Sequence, residues 1–380
     1  MKILFLFLTI FLLNCGKRSD TEEKSGINNS FENNLNIHND ISKSKTNISI
    51  SEDFNEKKIG SSNKKSQKDS SNILKYLPVN YSLEGNVDYT NYVQKAFNEV
   101  EKITMPNFPI AINYKGINIP SNRTITFQQK SSLSILPNSQ PSYQALLISN
   151  SSNVKIINAN LIGDRNQHTG TKGEWGMGIK IMSSKNIDII NSNIKNFWGD
   201  GIYIGRNANN VSYCSGINVF RGILDNNRRN GISIVSGKDI IIENITIKNT
   251  NGTNPMAGID LEPNSPDEFL YNINLNNIST INNKIDGIKV VLQKLVNSNN
   301  ILVNINNHDD IGSPNPLTVV GYDVATKAKG ILNYSNAKWN NDKNIRIQRE
   351  LNSSINLNIQ KININGKLYN KTINTSNIQR

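Results

Sequence analysis

The chain has 380 residues, 36% of them hydrophobic, and a formal net charge of +12. That is enough apolar material for one sizeable folded domain, while two cysteines and three histidines, no two of either close together, exclude a disulfide framework and argue against a zinc site. The positive charge is spread rather than clustered; it suits an acidic polysaccharide, a nucleic acid or an anionic membrane surface, and no phosphate-cradling glycine loop or nucleic-acid module accompanies it.

Residues 1–13 are a lysine followed by an apolar run, too short for a membrane span of about 20 residues but shaped as a secretion signal. The run leads into Leu12-Leu13-Asn14-Cys15-Gly16, which resembles a bacterial lipobox. The expectation is a signal over 1–15, acylation of Cys15 and attachment to the lipid bilayer of the cell envelope, in the outer membrane by preference. Secretion favours the acidic polysaccharide among the three partners and removes nucleic acid. Residues 16–75 are rich in Ser, Asn, Lys and Glu and poor in large apolar residues; such a segment cannot offset its chain entropy and reads as a disordered tether.

A folded domain is expected over 76–345. Asp88 to Val100 places Val93, Phe97 and Val100 at helical spacing, a short amphipathic helix suited to covering a solenoid end. Five tetrads then recur: Gly178-Ile179-Lys180-Ile181, Gly201-Ile202-Tyr203-Ile204, Gly231-Ile232-Ser233-Ile234, Gly258-Ile259-Asp260-Leu261 and Gly287-Ile288-Lys289-Val290. Their glycines lie 23, 30, 27 and 29 residues apart, within the range of stacked repeats. Each tetrad alternates as a strand does, apolar at the second and fourth positions. A second strand pattern follows each, as in Ile187-Asp188-Ile189-Ile190 and Ile240-Ile241-Ile242, then a turn and a third short strand such as Ile245-Thr246-Ile247. Turns rich in asparagine (Asn191, Asn193, Asn226, Asn227, Asn249, Asn276, Asn277) fit the corners, because asparagine tolerates left-handed backbone and its amides stack between coils. Three strands per coil predict an all-β, three-sided, single-stranded right-handed parallel β-helix. From Pro314 the repeat fades; Gly321-Tyr322-Asp323-Val324 and Gly330-Ile331-Leu332 read as last strands, and 346–380 as a polar cap or fringe. Cys214 reads as a small buried residue.

These stretches resemble the pectate-lyase-like superfamily of right-handed parallel β-helices, over roughly 88–323. The similarity to a bacterial and phage-associated subset lies in Gly173-Glu174-Trp175-Gly176-Met177-Gly178-Ile179, Trp198-Gly199-Asp200-Gly201, Asn227-Arg228-Arg229-Asn230-Gly231 and Ala257-Gly258-Ile259-Asp260-Leu261-Glu262-Pro263. The resemblance implies action on a polysaccharide; superfamily members include polygalacturonases, lyases, alginate epimerases and tailspike depolymerases, so it leaves the reaction open. Of the polygalacturonase pattern only Asp200 falls on a catalytic position; Asn230 stands where that family has histidine.

Stacking places Lys180, Tyr203, Ser233, Asp260 and Lys289 in one outward row at about 4.8 Å intervals, with Glu262 two residues beyond Asp260 on the same face. Asp200, Asp260, Glu262 and Arg229 are the candidate catalytic residues. A hydrolase needs one carboxyl as acid and another to activate water; a lyase or epimerase needs cations on a sugar carboxylate and a base, for which Tyr203, His168 or Lys180 are the candidates. The insertion 163–177 supplies Arg165, His168, Glu174 and Trp175, which with Trp198, Tyr203 and Arg228 form the expected substrate-binding set. No cofactor is expected, although the carboxylates could hold Ca²⁺, and His308-Asp309-Asp310 reads as a polar loop that could do the same. The expected function is a surface lipoprotein that binds and cleaves a polysaccharide as hydrolase or lyase; the alternative is a non-catalytic glycan-binding or adhesion protein.

Overall fold

The computed structural model describes residues 71–207, 212–295, 300–321, 329–340, 346–348 and 355–369. Cys15, residues 16–70 of the expected tether and residues 322–324 lie outside them. Residues 71–75, expected in the tether, instead belong to the fold, where Ser71–Asn72 pairs with Lys102–Thr104 and the short helix Ile73–Tyr76 buries Ile73. The described chain is a right-handed parallel β-helix of about eight turns. Ile117, Leu146, Ile179, Ile202, Ile232, Ile259, Ile288 and Leu317 pair in register, all inside the core. One nine-stranded parallel sheet carries these tetrads; the second and third sides are joined by long strands such as Gly237–Lys248 that run through a corner.

Left-handed residues set those corners. Positive φ recurs every five residues within a coil, at Asn186, Asn191 and Asn196, then at Asp239, Asn244 and Asn249, then at Asn272, Asn277 and Asn282. Two sides of the coil are therefore of constant length. In these coils the variation in repeat length falls on the corners flanking the tetrad sheet: 18 positions separate Leu161 from Ile179, against eight from Ile194 to Ile202. The corner amides stack from coil to coil, as in Asn191 Nδ2 to Asn158 Oδ1 (2.8 Å), Asn277 Nδ2 to Asn244 Oδ1 (3.0 Å) and Asn307 Nδ2 to Asn277 Oδ1 (2.6 Å). Among the expected turn residues Asn193, Asn227 and Asn276 are not left-handed; Asn227 is instead buried, bridging Phe197 N–H (3.1 Å) and the Ile194 carbonyl (3.3 Å). Arg221 (φ 54°) interrupts the ladder between Asn191 and Asn244. A left-handed arginine bears a steric cost that asparagine largely avoids, so Arg221→Asn is expected to raise the unfolding free energy by on the order of 1 kcal/mol, measured by urea titration.

The helix Thr90–Glu99 covers the first turn with buried Val93, Ala96 and Phe97. Its Gln94 amide bonds both the carbonyl (2.9 Å) and the N–H (2.8 Å) of Asn118, satisfying the edge of the tetrad sheet. Arg123 caps the helix's far end through the carbonyls of Phe97 (2.7 Å) and Asn98 (2.8 Å). Cys214 is buried, and burial pushes its thiol up to about 11.

Two expectations are corrected at the C-terminal end. The coil stack runs past 345: the strand Ile355–Gln360 pairs in parallel with Lys329–Ser335, and only the last strand, Lys367–Tyr369, turns antiparallel. His308 and Asp310 do not form a loop. They lie in the strand Asn300–Ile311, in register with Ile278 and Thr280, and point into the core. There the apolar filling gives way to a directed chain of hydrogen bonds. Trp339 Nε1–H donates to Tyr334 Oη (3.0 Å), which meets His308 Nδ1 (2.8 Å); His308 Nε2 meets Thr280 Oγ1 (2.7 Å), which donates to Asp310 Oδ2 (2.6 Å). Since Thr280 gives its own proton to Asp310, the imidazole proton sits on Nε2 and Nδ1 accepts from Tyr334.

Candidate functional site

The residue before each tetrad glycine and the third tetrad residue of the next coil are neighbours, because parallel strands one coil apart lie about 4.8 Å from each other. Polar residues at both places bond across that gap. Asp200 Oδ2 accepts from Ser233 Oγ (2.8 Å) and from Arg229 Nη1 (3.0 Å), and Asp200 Oδ1 accepts from Asn230 N–H (3.0 Å). Asn230 Nδ2 donates to Ser233 Oγ (3.0 Å) and to Asp260 Oδ2 (3.3 Å), while its Oδ1 accepts from Ala257 N–H (3.0 Å). Two coils on, Asp286 Oδ1 accepts from Thr318 Oγ1 (2.6 Å) and Asn315 Nδ2 (3.0 Å). Asp200, Asp260, Glu262 and Arg229 thus come together, as the register requires.

The row they share is not open to water at its centre. Asp200 is 0% and Asp260 1% exposed, in contrast to the solvent-facing row expected. Arg229 lies across the row: besides its bond to Asp200 it approaches Glu262 Oε2 at 3.7 Å. Burial raises the Asp260 carboxyl well above the usual carboxylate range, and the neighbouring Glu262 carboxylate adds to this against the opposing pull of Lys289 and Arg229. Asp260 Oδ1 meets no N–H or hydroxyl donor. Its interaction with the Glu262 carboxyl is favourable only when the pair holds a proton. Burial also raises Asp200, although Arg229, Ser233 and Asn230 all stabilise its charged form. Burial works against the charge of Arg229, but Asp200, Asp260, Glu174 and Glu262 outweigh it and hold the guanidinium protonated.

Beside this buried network opens a cleft of about 490 Å³. Its acids are Glu174, Glu262 and Asp286, and its cations are Arg229, Lys289 and Arg346. Lys289, Thr318 and Arg346 continue the third-position row through the last coils. From the coil of Ile232 to that of Ile347 the row runs four coil steps, roughly 19 Å. Asn254 and Pro255, in the insertion before the Asp260 strand, also line the cleft. Asp286, Lys289, Thr318 and Arg346 were not assigned to the site from sequence. For Thr318 and Arg346 the signal was the continuing register, hidden because Asn315-Pro316-Leu317-Thr318 and Arg346-Ile347-Gln348 have no leading glycine; Asp286 and Lys289 lie beside Gly287, and the register already put Lys289 in the outward row.

The expected substrate-binding set divides. Glu174 lines the cleft. Trp175 is 48% exposed at the start of the strand Trp175–Met182. Tyr203 lies in the row with the Lys180 amine 5.7 Å from its ring centroid; burial raises its phenol, so it stays protonated and is a poor base, whereas burial lowers Lys180. His168 is a correction: its side chain is wholly buried, with Nδ1 2.8 Å from Asp164 Oδ2. Trp198 is another, because the His168 ring (4.0 Å) and the Arg228 guanidinium (3.9 Å) both lie over the indole and leave no free face for a sugar. Arg228 also donates to the Gly173 carbonyl (2.9 Å). Arg165 spans two coils, donating to the Asn226 carbonyl (2.8 Å) and Asn251 Oδ1 (2.7 Å). These contacts join the insertions 163–174 and 250–256 into one wall. Among the described residues no group of three or more His, Cys, Asp or Glu is placed to hold a metal ion.

A scan against protein-family models finds no match. Among curated proteins the chain is 30% identical over 228 residues to YclG of Bacillus subtilis, covering 57% of this chain and 38% of YclG. It is 32% identical over 162 residues to YorA, a prophage-derived protein of the same organism, covering 39% of this chain and 28% of YorA. The chain therefore spans well under half of either relative. Among solved structures it is similar to the tailspike gp49 of Acinetobacter baumannii bacteriophage Fri1, described as a capsular polysaccharide depolymerase. The TM-score is 0.52 at 14% identity, covering 82% of this chain and 65% of the tailspike. That likeness is one of fold.

Proposed function

We propose that the protein binds a polysaccharide along its tetrad face and cleaves it in the charged cleft, as a glycoside hydrolase or polysaccharide lyase. The observation that carries the reading is the carboxyl pair Asp260 and Glu262, one member buried with its proton affinity raised by burial, the other at the cleft wall beside Arg229. Asp260 is too enclosed to touch a glycan; Glu262 is not, its side chain being 25% exposed. Glu262 is the carboxyl placed to give a proton to a glycosidic oxygen, with the Arg229 guanidinium 3.7 Å away to meet the charge left behind. Glu174, which also lines the cleft, would then take the proton from the attacking water. In a lyase, Arg229, Lys289 and Arg346 would instead neutralise a uronate carboxylate before proton abstraction. The fold is one on which a capsular polysaccharide depolymerase is built.

The test is incubation with acidic and neutral glycans. Unsaturated uronate absorbance identifies a lyase, and new reducing ends alone a hydrolase. Glu262→Gln keeps the shape but cannot donate and accept in turn, so cleavage is expected to fall by roughly 10²–10⁴-fold with glycan binding retained. One observation favours a binding protein: every Asp200 oxygen is already engaged and Asp260 is enclosed. Glycan binding with no cleavage, the same in wild type and Glu262→Gln, would establish that reading. The proposal includes anchorage at the cell envelope through Cys15, in the outer membrane. Incorporation of a labelled fatty acid, lost in Cys15→Ser, is the expected result.

A further inference from the structure

A second groove, of about 550 Å³, lies away from the tetrad sheet, at the corner between the second and third sides of the early coils. Its origin is in the register. Ser192 and Gly222 occupy the position that Ile245 and Ile278 fill in the next two coils, so the corner is shallow-filled there and sinks. Two coils before Ser192, beyond the coil of Asn158 to Asn160, lies a longer corner, 127–131, whose Gln128 and Gln129 form one side. Asn160, Asn193 and Ile223 follow one another outward along the third side and form the other.

The lining chemistry is unlike that of the cleft. No charged side chain lines the groove; amides and hydroxyls dominate it. Two of its polar atoms are buried without a hydrogen-bond partner, Asn160 Oδ1 and Ser192 Oγ, and Ser192 is only 5% exposed. A buried polar group left unmatched costs about 1–3 kcal/mol, and both of these residues border the groove. Beside them Ile223 is 44% exposed, an apolar patch at the rim.

We propose that this groove is a second binding site for an uncharged, hydroxyl-rich ligand, a segment of neutral glycan. Each sugar hydroxyl both donates and accepts, as do the amide and hydroxyl side chains that line the groove, and the C–H face of a pyranose can rest on Ile223. The site is separate from the cleft and does not depend on cleavage there.

The probes are maltohexaose, cellohexaose and xylohexaose, titrated into the full chain and followed by saturation-transfer NMR and calorimetry. At least one is expected to bind with a Kd in the millimolar range, unchanged by added salt because no ion pair forms. Ile223→Lys, at an exposed position, and Asn193→Trp, which fills the groove, are each expected to weaken it by roughly tenfold or more. Glu262→Gln is expected to leave it intact. The proposal is overturned if none of the three binds at millimolar concentration, if both groove variants bind as wild type does, or if Glu262→Gln abolishes binding.

Discussion

Arg229→Met is expected to lower the unfolding free energy by roughly 3–5 kcal/mol at neutral pH, because it leaves a carboxylate buried without its cation. Asp200 is fully enclosed and Arg229 is its only ionic partner among the described residues, at 3.0 Å. Ser233 and Asn230 still donate to it, but neither carries charge. The loss is therefore tied to ionisation. Without the guanidinium, the folded-state pKa of Asp200, already raised by burial, rises further above its unfolded value. The penalty is then full at high pH and shrinks as pH falls and the folded carboxyl takes up a proton. Adding Asp200→Asn to Arg229→Met removes the charge and is expected to recover most of the stability. Urea titrations of the single and double variants at neutral and mildly acidic pH test both statements. A loss that is equal at the two pH values, or that Asp200→Asn does not reduce, would mean that Arg229 matters through packing alone.

Acid is expected to weaken the other end of the solenoid through His308. Burial pushes this imidazole down to about 3 from its ordinary 6.5, and its two nitrogens are already committed to Tyr334 and Thr280. Asp309 and Asp310 follow it on its own strand, and burial still wins. Above 6.5 both folded and unfolded rings are neutral, so pH has no effect through this group. Between 6.5 and about 3 the unfolded ring binds a proton that the folded ring refuses. Stability then falls as pH falls, by at most ~1.4 kcal/mol per pH unit and on the order of 4 kcal/mol over the window. The raised carboxyls Asp200 and Asp260 act in the opposite sense, gaining stability on acidification. The measurement is accordingly a difference: the pH slope of the unfolding free energy in wild type minus that in His308→Gln. A difference close to one proton confirms the buried neutral ring, and parallel slopes refute it.

Arg229 and His308 also mark how far the sequence could be read. The tetrads announce the β-helix because a strand's alternation, repeated at coil spacing with a leading glycine, has few other solutions. That register alone brings Asp200, Arg229, Asp260 and Glu262 to one place. The same argument failed at His308, where the inward column changes from isoleucine to threonine, aspartate and histidine; polar residues in a strand read as a loop when their partners, Tyr334 and Trp339, are a coil away.

The sequence by itself determined the coil, most of its asparagine corners and the neighbourhood of the acids and arginines, since all of these follow from periodicity and backbone preference. Only the tertiary structure decided which of those groups reach water. Asp200 and Asp260 are enclosed within the row and bonded to Arg229 and Asn230, His168 and Trp198 are stacked on each other, and Glu262, Glu174, Lys289 and Arg346 line an open cleft. Exposure depends on what packs above a side chain, and loops of unlike length and composition carry no period from which that packing can be read.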